Sequence, residues 1–189
     1  MINKSLYGEG VFTLHPILDY PECQALIERA EAVGFEMASI ITARGAQVVE
    51  EVRNNDRVII DDDALAASLW ERVHEYVPRS LMGREVMGLN ERFRFYRYVP
   101  GQRFRWHSDG CFQRENGERS LLTFMIYLNE GYTGGHTRFE WTQVSGRTGM
   151  ALVFGHGLIH EGAVLETGRK YVIRSDVMYG PVGKFSPGW

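Results

Sequence analysis

A chain of 189 residues with 21 basic and 24 acidic side chains has the size of one domain and a formal charge of −3. Two cysteines exclude a disulfide-stapled scaffold, no apolar run reaches the roughly 18 residues of a membrane span, and the N-terminus lacks a secretory pattern. The slightly acidic balance argues against nucleic acid as a partner, so the expectation is a cytoplasmic protein with no membrane contact. Its 10 Phe, 9 Tyr and 4 Trp beside 21 Gly suit a β-rich domain with many tight turns.

Helix signals fall in the first 80 residues. Asp19, Pro21 and Glu22 offer an N-cap, an early proline and an acid three residues after the cap. Cys23, Leu26, Ile27, Ala30 and Val33 follow at helical spacing, and Gly34 is the stop. Cys23 reads as a small apolar helix residue. Glu36 to Ile60 is polar and irregular, a strand plus a long loop; the stretch Glu36 to Asp62, with Arg53, Asn54, Asn55, Asp56 and Arg57, is expected to cover the substrate. A second helix opens near Asp61 to Asp63, runs through Leu65, Leu69, Val73 and Tyr76, and halts before Pro78.

After Gly88 the pattern turns to strands. Arg92 to Val99 places Phe93 and Phe95 on one face and Arg92, Arg94 and Tyr96 on the other. Leu121 to Leu128 is apolar on both faces, as in a strand covered on both sides. Shorter runs follow at His136 to Trp141, Met150 to Phe154 and Tyr171 to Tyr179. A helical lead-in before five or more strands predicts an α+β, mainly β chain: an antiparallel sandwich or barrel backed by helices. Arg92, Arg94, Arg97, Arg103 and Arg105 form either a cationic stripe or a solvated sheet face.

Trp106-His107-Ser108-Asp109-Gly110 is the sharpest local feature. A His and a carboxylate two apart on an extended segment converge on one metal, and a distant second His completes the facial triad of non-haem Fe(II) oxygenases. His160 and His156 compete for that role; Gly155 and Gly157 place His156 in a turn, which favours His160. His15 and His74 have no partner pattern and read as structural or solvated. Ten residues after His160 stands Lys170, where a buried cation can pair with the distal carboxylate of a dicarboxylate such as 2-oxoglutarate. On one strand face Lys170 is followed by Val172, Arg174 and Asp176, with Arg169 on the other face. Arg174 either binds co-substrate or a substrate carboxylate, or pairs with Asp176 or another acid. Cys111, two past Asp109, is expected near the pocket mouth in a passive role.

Several stretches then fall in one order: Tyr98-Val99-Pro100-Gly101-Gln102 before His107 and Asp109; Tyr127-Leu128-Asn129; Gly134-Gly135-His136-Thr137-Arg138-Phe139; His160-Glu161-Gly162; and Gly168-Arg169-Lys170-Tyr171. With them, the chain resembles the Fe(II)/2-oxoglutarate-dependent dioxygenases, prolyl 4-hydroxylase-like branch, strongly over about residues 90–180. The resemblance implies a double-stranded β-helix (jelly-roll) core with N-terminal helices packed on one sheet. One domain is expected over residues 1–189, with a helical lead-in to about 88 and the core from about 89 to 180. His107, Asp109 and His160 would be the iron ligands, and the match at His160-Glu161-Gly162 favours His160 again. Lys170 would anchor 2-oxoglutarate, assisted by the Tyr127 hydroxyl, with Thr123 on the same strand face and Tyr98 lining the pocket. Two positions depart from the family pattern: His136, where an acid is commoner, which puts an extra imidazole near the site; and Tyr171, where prolyl hydroxylases carry Trp.

What the resemblance implies chemically is oxidative decarboxylation of 2-oxoglutarate by O2 to succinate and CO2, coupled to hydroxylation of a peptidyl proline, an amino acid or a small metabolite. Halogenating relatives lack the carboxylate present here as Asp109. Ascorbate commonly rescues such ferrous sites. Two other readings stand beside it: a metal-binding jelly-roll sensor without oxygenase activity, which would have no use for Lys170; and an alkylated-base demethylase, whose paired arginines Arg169 and Arg174 reproduce poorly.

Overall fold

The computed structural model describes residues 1–182, except 9, 43, 44, 48 and 50. In chain order the elements are β1 (Asn3–Leu6), β2 (Phe12–His15), α1 (Tyr20–Val33), β3 (Glu36–Met37), β4 (Ile40–Thr42), β5 (Gly45–Gln47), β6 (Asp56–Asp61) and α2 (Asp63–Val73). A 3₁₀ turn, His74–Tyr76, leads to β7 (Ser80–Leu81), β8 (Arg84–Leu89), β9 (Arg92–Tyr98), β10 (Phe104–His107), β11 (Arg119–Tyr127), β12 (Thr133–Gly134) and β13 (Thr137–Phe139). The chain continues through β14 (Thr142–Val144), β15 (Met150–Gly155), β16 (His160–Gly162), β17 (Leu165–Thr167) and β18 (Lys170–Pro181). The fold is mostly β with two helices, a jelly roll.

Helix starts follow local chemistry. Asp19 accepts the Glu22 N–H at 2.8 Å and the Glu22 carboxylate accepts the Asp19 N–H at 2.9 Å, closing a capping box. Asp62 caps α2 by accepting the Leu65 N–H at 2.8 Å.

Among the described residues, the large sheet runs β1-β2-β15-β11-β18-β9-β6-β3, with β8 beside the second half of β18. Strand alternation divides its side chains between two buried layers. Phe93, Phe95, Leu122, Phe124, Ile126 and Ile173 share one apolar cluster with Cys23, Leu26 and Ala30 of α1 and Ala66, Leu69 and Val73 of α2. Tyr96, Tyr98, Tyr127, Leu152, Phe154 and Val172 turn the other way, into a second cluster with Phe139, Val144 and Leu165. Fully burying one large apolar side chain stabilises by about 1.5–3 kcal/mol, so both layers hold the sheet in place. A smaller sheet, β10-β16-β13-β14, faces this second layer through Phe139 and Val144. The space between the sheets holds the site.

The first 88 residues contribute strands as well as helices, because β1, β2, β3, β6 and β8 all join the large sheet. The expected covering loop, residues 36–62, also differs. Asp56 to Asp61 lies along β9 over its whole length, and β3 pairs with its start. Val58 enters the helix-side cluster, while Asp56 and Asp61 pair with Arg97 and Arg92, so this portion is sheet and not a cover. β4 and β5 form a hairpin before it; residues 43, 44, 48 and 50 of the expected loop lie outside those described. The arginine stripe is largely matched by acids: Arg92 with Asp61, Arg94 with Asp176, Arg97 with Glu31 and Asp56. No helix among the described residues is long and apolar enough to cross a membrane.

Candidate active site

His107 ends β10 and His160 begins β16, and the register sets them directly opposite, with ring centroids 4.2 Å apart. Asp109 follows two residues after His107, its backbone N–H held by the His156 carbonyl at 2.9 Å. His107 Nδ1 lies 2.7 Å from the Arg105 carbonyl and His160 Nδ1 3.0 Å from the Leu158 carbonyl. A carbonyl can only accept, so each Nδ1 carries the proton and each Nε2 keeps its lone pair. The two Nε2 atoms stand 3.8 Å from Asp109 Oδ1 and Oδ2, beyond hydrogen-bond range, and the three ligand atoms lie within 4.8 Å of one another. Phe104 stacks on His107 at 3.5 Å, and Phe154 meets His160 edge-on.

Charge states follow from burial. Desolvation, with His160 adjoining, pushes His107 down to about 4, and desolvation also lowers His160, so both imidazoles are neutral at pH 7. Burial opposes ionisation of Asp109, but Arg174, then His160 and the Thr123 hydroxyl outweigh it and hold the carboxyl well below its usual range. Two neutral imidazoles and one carboxylate are a donor set suited to a first-row divalent ion.

Arg174 donates through Nη1 to Asp109 Oδ1 at 2.8 Å and through Nη2 to Asp176 Oδ1 at 3.0 Å. Asp176, itself fully buried, also receives Arg94 at 3.1 Å. Arg174 thus lines the pocket and pairs with two acids, the second of the two readings that the sequence left open. Thr123 donates to Asp109 Oδ2 at 2.5 Å and lies 3.0 Å from His156 Nδ1, while His156 Nε2 reaches Ser120 Oγ at 2.8 Å. With both ring nitrogens engaged, His156 stands behind the carboxylate, and it is His160 that stands with His107 and Asp109. Thr123 therefore serves Asp109, and its hydroxyl makes no contact with Lys170.

Lys170 opens β18, four residues or about 13 Å along the strand from Arg174. It is 3% exposed, donates to the Gly135 carbonyl at 2.5 Å, and lies over the rings of Tyr98 and Tyr127 at 5.2 and 5.4 Å. No acid pairs with it among the described residues, and burial pushes its ammonium down to about 7. Gly135 has φ +63 and a Cβ there would lie 2.9 Å from Leu165 Cδ1 and 3.3 Å from Lys170 Cδ, so glycine is what lets the lysine stem pass. Burial raises Tyr98 to about 12 and raises Tyr127 further; the Tyr127 hydroxyl bonds Thr137 Oγ1 at 2.7 Å.

His107, Asp109, Thr123, His160, Lys170, Arg174 and Tyr98 line one pocket, with Tyr127 beneath Lys170. Tyr96, Phe104, Met125, Thr137 and Phe154 also line it and were not assigned to it from sequence. Alternation along β9 and β11 would have found Tyr96 and Met125; nothing local signals Thr137, which is fixed by its contact with Tyr127.

His136 does not enter this pocket. Its Nδ1 lies 3.1 Å from Ser145 Oγ, in a separate polar cavity with Tyr132 and Glu166. Tyr171 points to the helix side and donates to Glu31, so neither departure from the family pattern touches the site. Cys23 is fully buried in the core, while Cys111 is exposed and its thiol donates to the Ser120 carbonyl at 3.1 Å. His15 lies 3.2 Å from the Thr148 carbonyl, and His74 caps its own helix by bonding the carbonyls of Trp70 and Glu71.

Comparison with known proteins agrees with this geometry. The family model described as the 2OG-Fe(II) oxygenase superfamily matches residues 93–175. A protein of Acanthamoeba polyphaga mimivirus named "Putative prolyl 4-hydroxylase" is 35% identical over 154 residues, which cover 76% of this chain and 59% of that relative. The chain therefore spans less than two thirds of the curated relative it matches. The structure of a viral collagen prolyl hydroxylase from Paramecium Bursaria Chlorella virus-1, a 2OG complex, is similar with a TM-score of 0.65 at 20% identity, covering 92% of this chain and 97% of that one. A prolyl hydroxylase from Trichoplax adhaerens, in complex with a hypoxia inducible factor peptide fragment, gives a TM-score of 0.69 at 16% identity over 89% of this chain and 83% of its own.

Proposed function

We propose that the chain, whose residues 93–175 match the 2OG-Fe(II) oxygenase superfamily, is an Fe(II)- and 2-oxoglutarate-dependent hydroxylase of prolyl 4-hydroxylase type. The observation that carries this reading is one buried pocket lined by a two-His, one-carboxylate set and by an unpaired lysine. The residues present fit both groups: two Nε2 lone pairs and a carboxylate converge, and a desolvated cation without an acid suits a distal carboxylate. His107, Asp109 and His160 would hold iron. When bound, iron supplies the redox centre that couples oxidative decarboxylation of 2-oxoglutarate by O2 to hydroxylation of a substrate C–H bond.

The chain's own residues do the rest. Arg105 and Leu158 carbonyls fix the imidazole tautomers and ring orientations. Arg174 and Thr123 each occupy one oxygen of Asp109, which holds the carboxylate plane and keeps it ionised. Lys170 receives the far carboxylate of 2-oxoglutarate, with the rings of Tyr98 and Tyr127 beside it. Phe104, Phe154, Met125 and Val172 exclude water around the reacting atoms.

The substrate class is a peptide, an amino acid or a small metabolite, and the peptide bound by the Trichoplax relative supports the first. We read residues 1–189 as one domain, with α1 and α2 backing the large sheet through their shared apolar cluster, acting in the cytoplasm. Ascorbate belongs in the assay as reductant. The unpaired Lys170 speaks against a sensor without 2-oxoglutarate, and the acid-paired Arg174 against an alkylated-base site.

Succinate formation with Fe(II), 2-oxoglutarate and O2 tests the reading. The wild type is expected to release succinate and His107→Ala and Asp109→Ala to release none; equal release by all three would overturn it.

A further inference from the structure

The cations around the pocket differ in what answers them. Arg94 and Arg174 meet Asp176 and Asp109, and Lys170 has the co-substrate carboxylate proposed above. Arg53 has no such partner among the described residues. It is 4% exposed, and its guanidinium lies 4.4 Å over the rings of both Tyr96 and Phe104, two walls of the pocket. Its Nε donates to a neutral amide, Asn55 Oδ1, at 2.7 Å, and its buried Nη2 has no hydrogen-bond partner among the described residues. A buried guanidinium left without an anion is costly, and two flanking π faces offset only part of that cost.

Arg57 supports the same conclusion independently. It stands opposite Tyr96 in the β6–β9 register, with Val58 taking the helix side, so it lies on the pocket face of the sheet. It donates to Ser39 Oγ at 3.1 Å and forms no ion pair among the described residues, while Asp56 beside it is taken by Arg97. Burial lowers its pKa, and the positive neighbours Arg53 and Arg94 add to that effect. Around the Tyr96 ring, then, behind one wall of the pocket, stand two guanidiniums that no acid neutralises among the described residues.

We propose that this flank is a substrate anion site, in which Arg53, supported by Arg57 and walled by Tyr96 and Phe104, receives a carboxylate of the molecule to be hydroxylated. The inference rests on the oxygenase reading and narrows its substrate to acids: a free amino acid or small acid, or a peptide presenting its C-terminal carboxylate. Arginine's planar fork matches a carboxylate's two oxygens, which a neutral amide does not offer.

The test is calorimetric titration, under nitrogen, of protein loaded with Mn(II) and 2-oxoglutarate. The probes are N-acetyl-L-proline against N-acetyl-L-prolinamide, and a short proline-ended peptide as free acid against its C-terminal amide. One acid is expected to bind about tenfold or more tightly than its amide, and which pair shows the preference identifies the source of the carboxylate. Arg53→Gln should abolish the preference, Arg53→Lys should keep part of it, and Arg57→Gln should reduce it, with 2-oxoglutarate affinity unchanged in each. Equal affinities for acid and amide, no binding of any probe, or a preference surviving Arg53→Gln would overturn the proposal. The wild-type acid–amide comparison decides the question even if a variant fails to fold. A wild type that does not bind 2-oxoglutarate would instead refute the oxygenase reading.

Discussion

Lys170 and Arg174 stand four residues apart on the same face of β18, the first buried and the second largely so, and their surroundings are opposite. Arg174 is held between two carboxylates, Asp109 and Asp176, with a further arginine beyond. Lys170 has one backbone carbonyl and two aromatic rings. A buried cation already neutralised by acids positions its neighbours, whereas one left without an acid is built for a ligand that brings the charge. The same contrast sets Arg53 and Arg57 apart from Arg94 and Arg97 of β9.

Substitutions at the two positions should therefore cross. Lys170→Met should weaken 2-oxoglutarate binding about a hundredfold or more by calorimetry, while folding stability in urea holds or rises, since a desolvated unpaired ammonium is removed. Arg174→Met should do the reverse. Stripping the partner from buried Asp109 and Asp176 should cost about 3 kcal/mol in urea stability, with a smaller loss of 2-oxoglutarate affinity. Parallel losses at both positions would erase the distinction.

Proton linkage sharpens it. The folded chain releases the Lys170 proton near 7 and the unfolded chain near the ordinary 10.5. Between those values the unfolded state binds more protons, so the destabilisation is full below pH 7 and is relieved as pH rises toward 10.5. Ligand binding needs the ammonium, so 2-oxoglutarate affinity should fall about tenfold from pH 7 to 8.5. Arg174, raised in pKa by Asp109 and Asp176 against the opposing effect of burial, imposes no such dependence. The smallest effect expected is that of Tyr127→Phe, which removes one hydroxyl contact to Thr137 and should weaken 2-oxoglutarate binding only a few-fold, about 1 kcal/mol.

Much of this was readable in the sequence where chemistry and spacing are local. His107 and Asp109 share an extended segment, the alternation of Phe93 and Phe95 against Arg94 and Tyr96 assigns the two faces of β9, and Asp19 with Glu22 announces a capping box. The strand order, in which β2 pairs with β15 and β1 with β2, is set by tertiary pairing and leaves no local mark. Thr137 under Tyr127, and Arg53 across Tyr96 and Phe104, bring together residues 10 to 51 positions apart in the chain, which no periodicity reports. His136 misled in the opposite direction: its motif places it near the site, but the backbone at Gly134 and Gly135, both at positive φ, turns its ring toward Ser145.

Calorimetry of 2-oxoglutarate with and without Mn(II) decides whether His107, Asp109, His160 and Lys170 form one site for metal and 2-oxoglutarate. The metal-loaded wild type is expected to bind tightly and the metal-free protein much more weakly, with no gain from metal in His107→Ala. Equal affinity with and without metal, or a gain that survives His107→Ala, would contradict a single shared site.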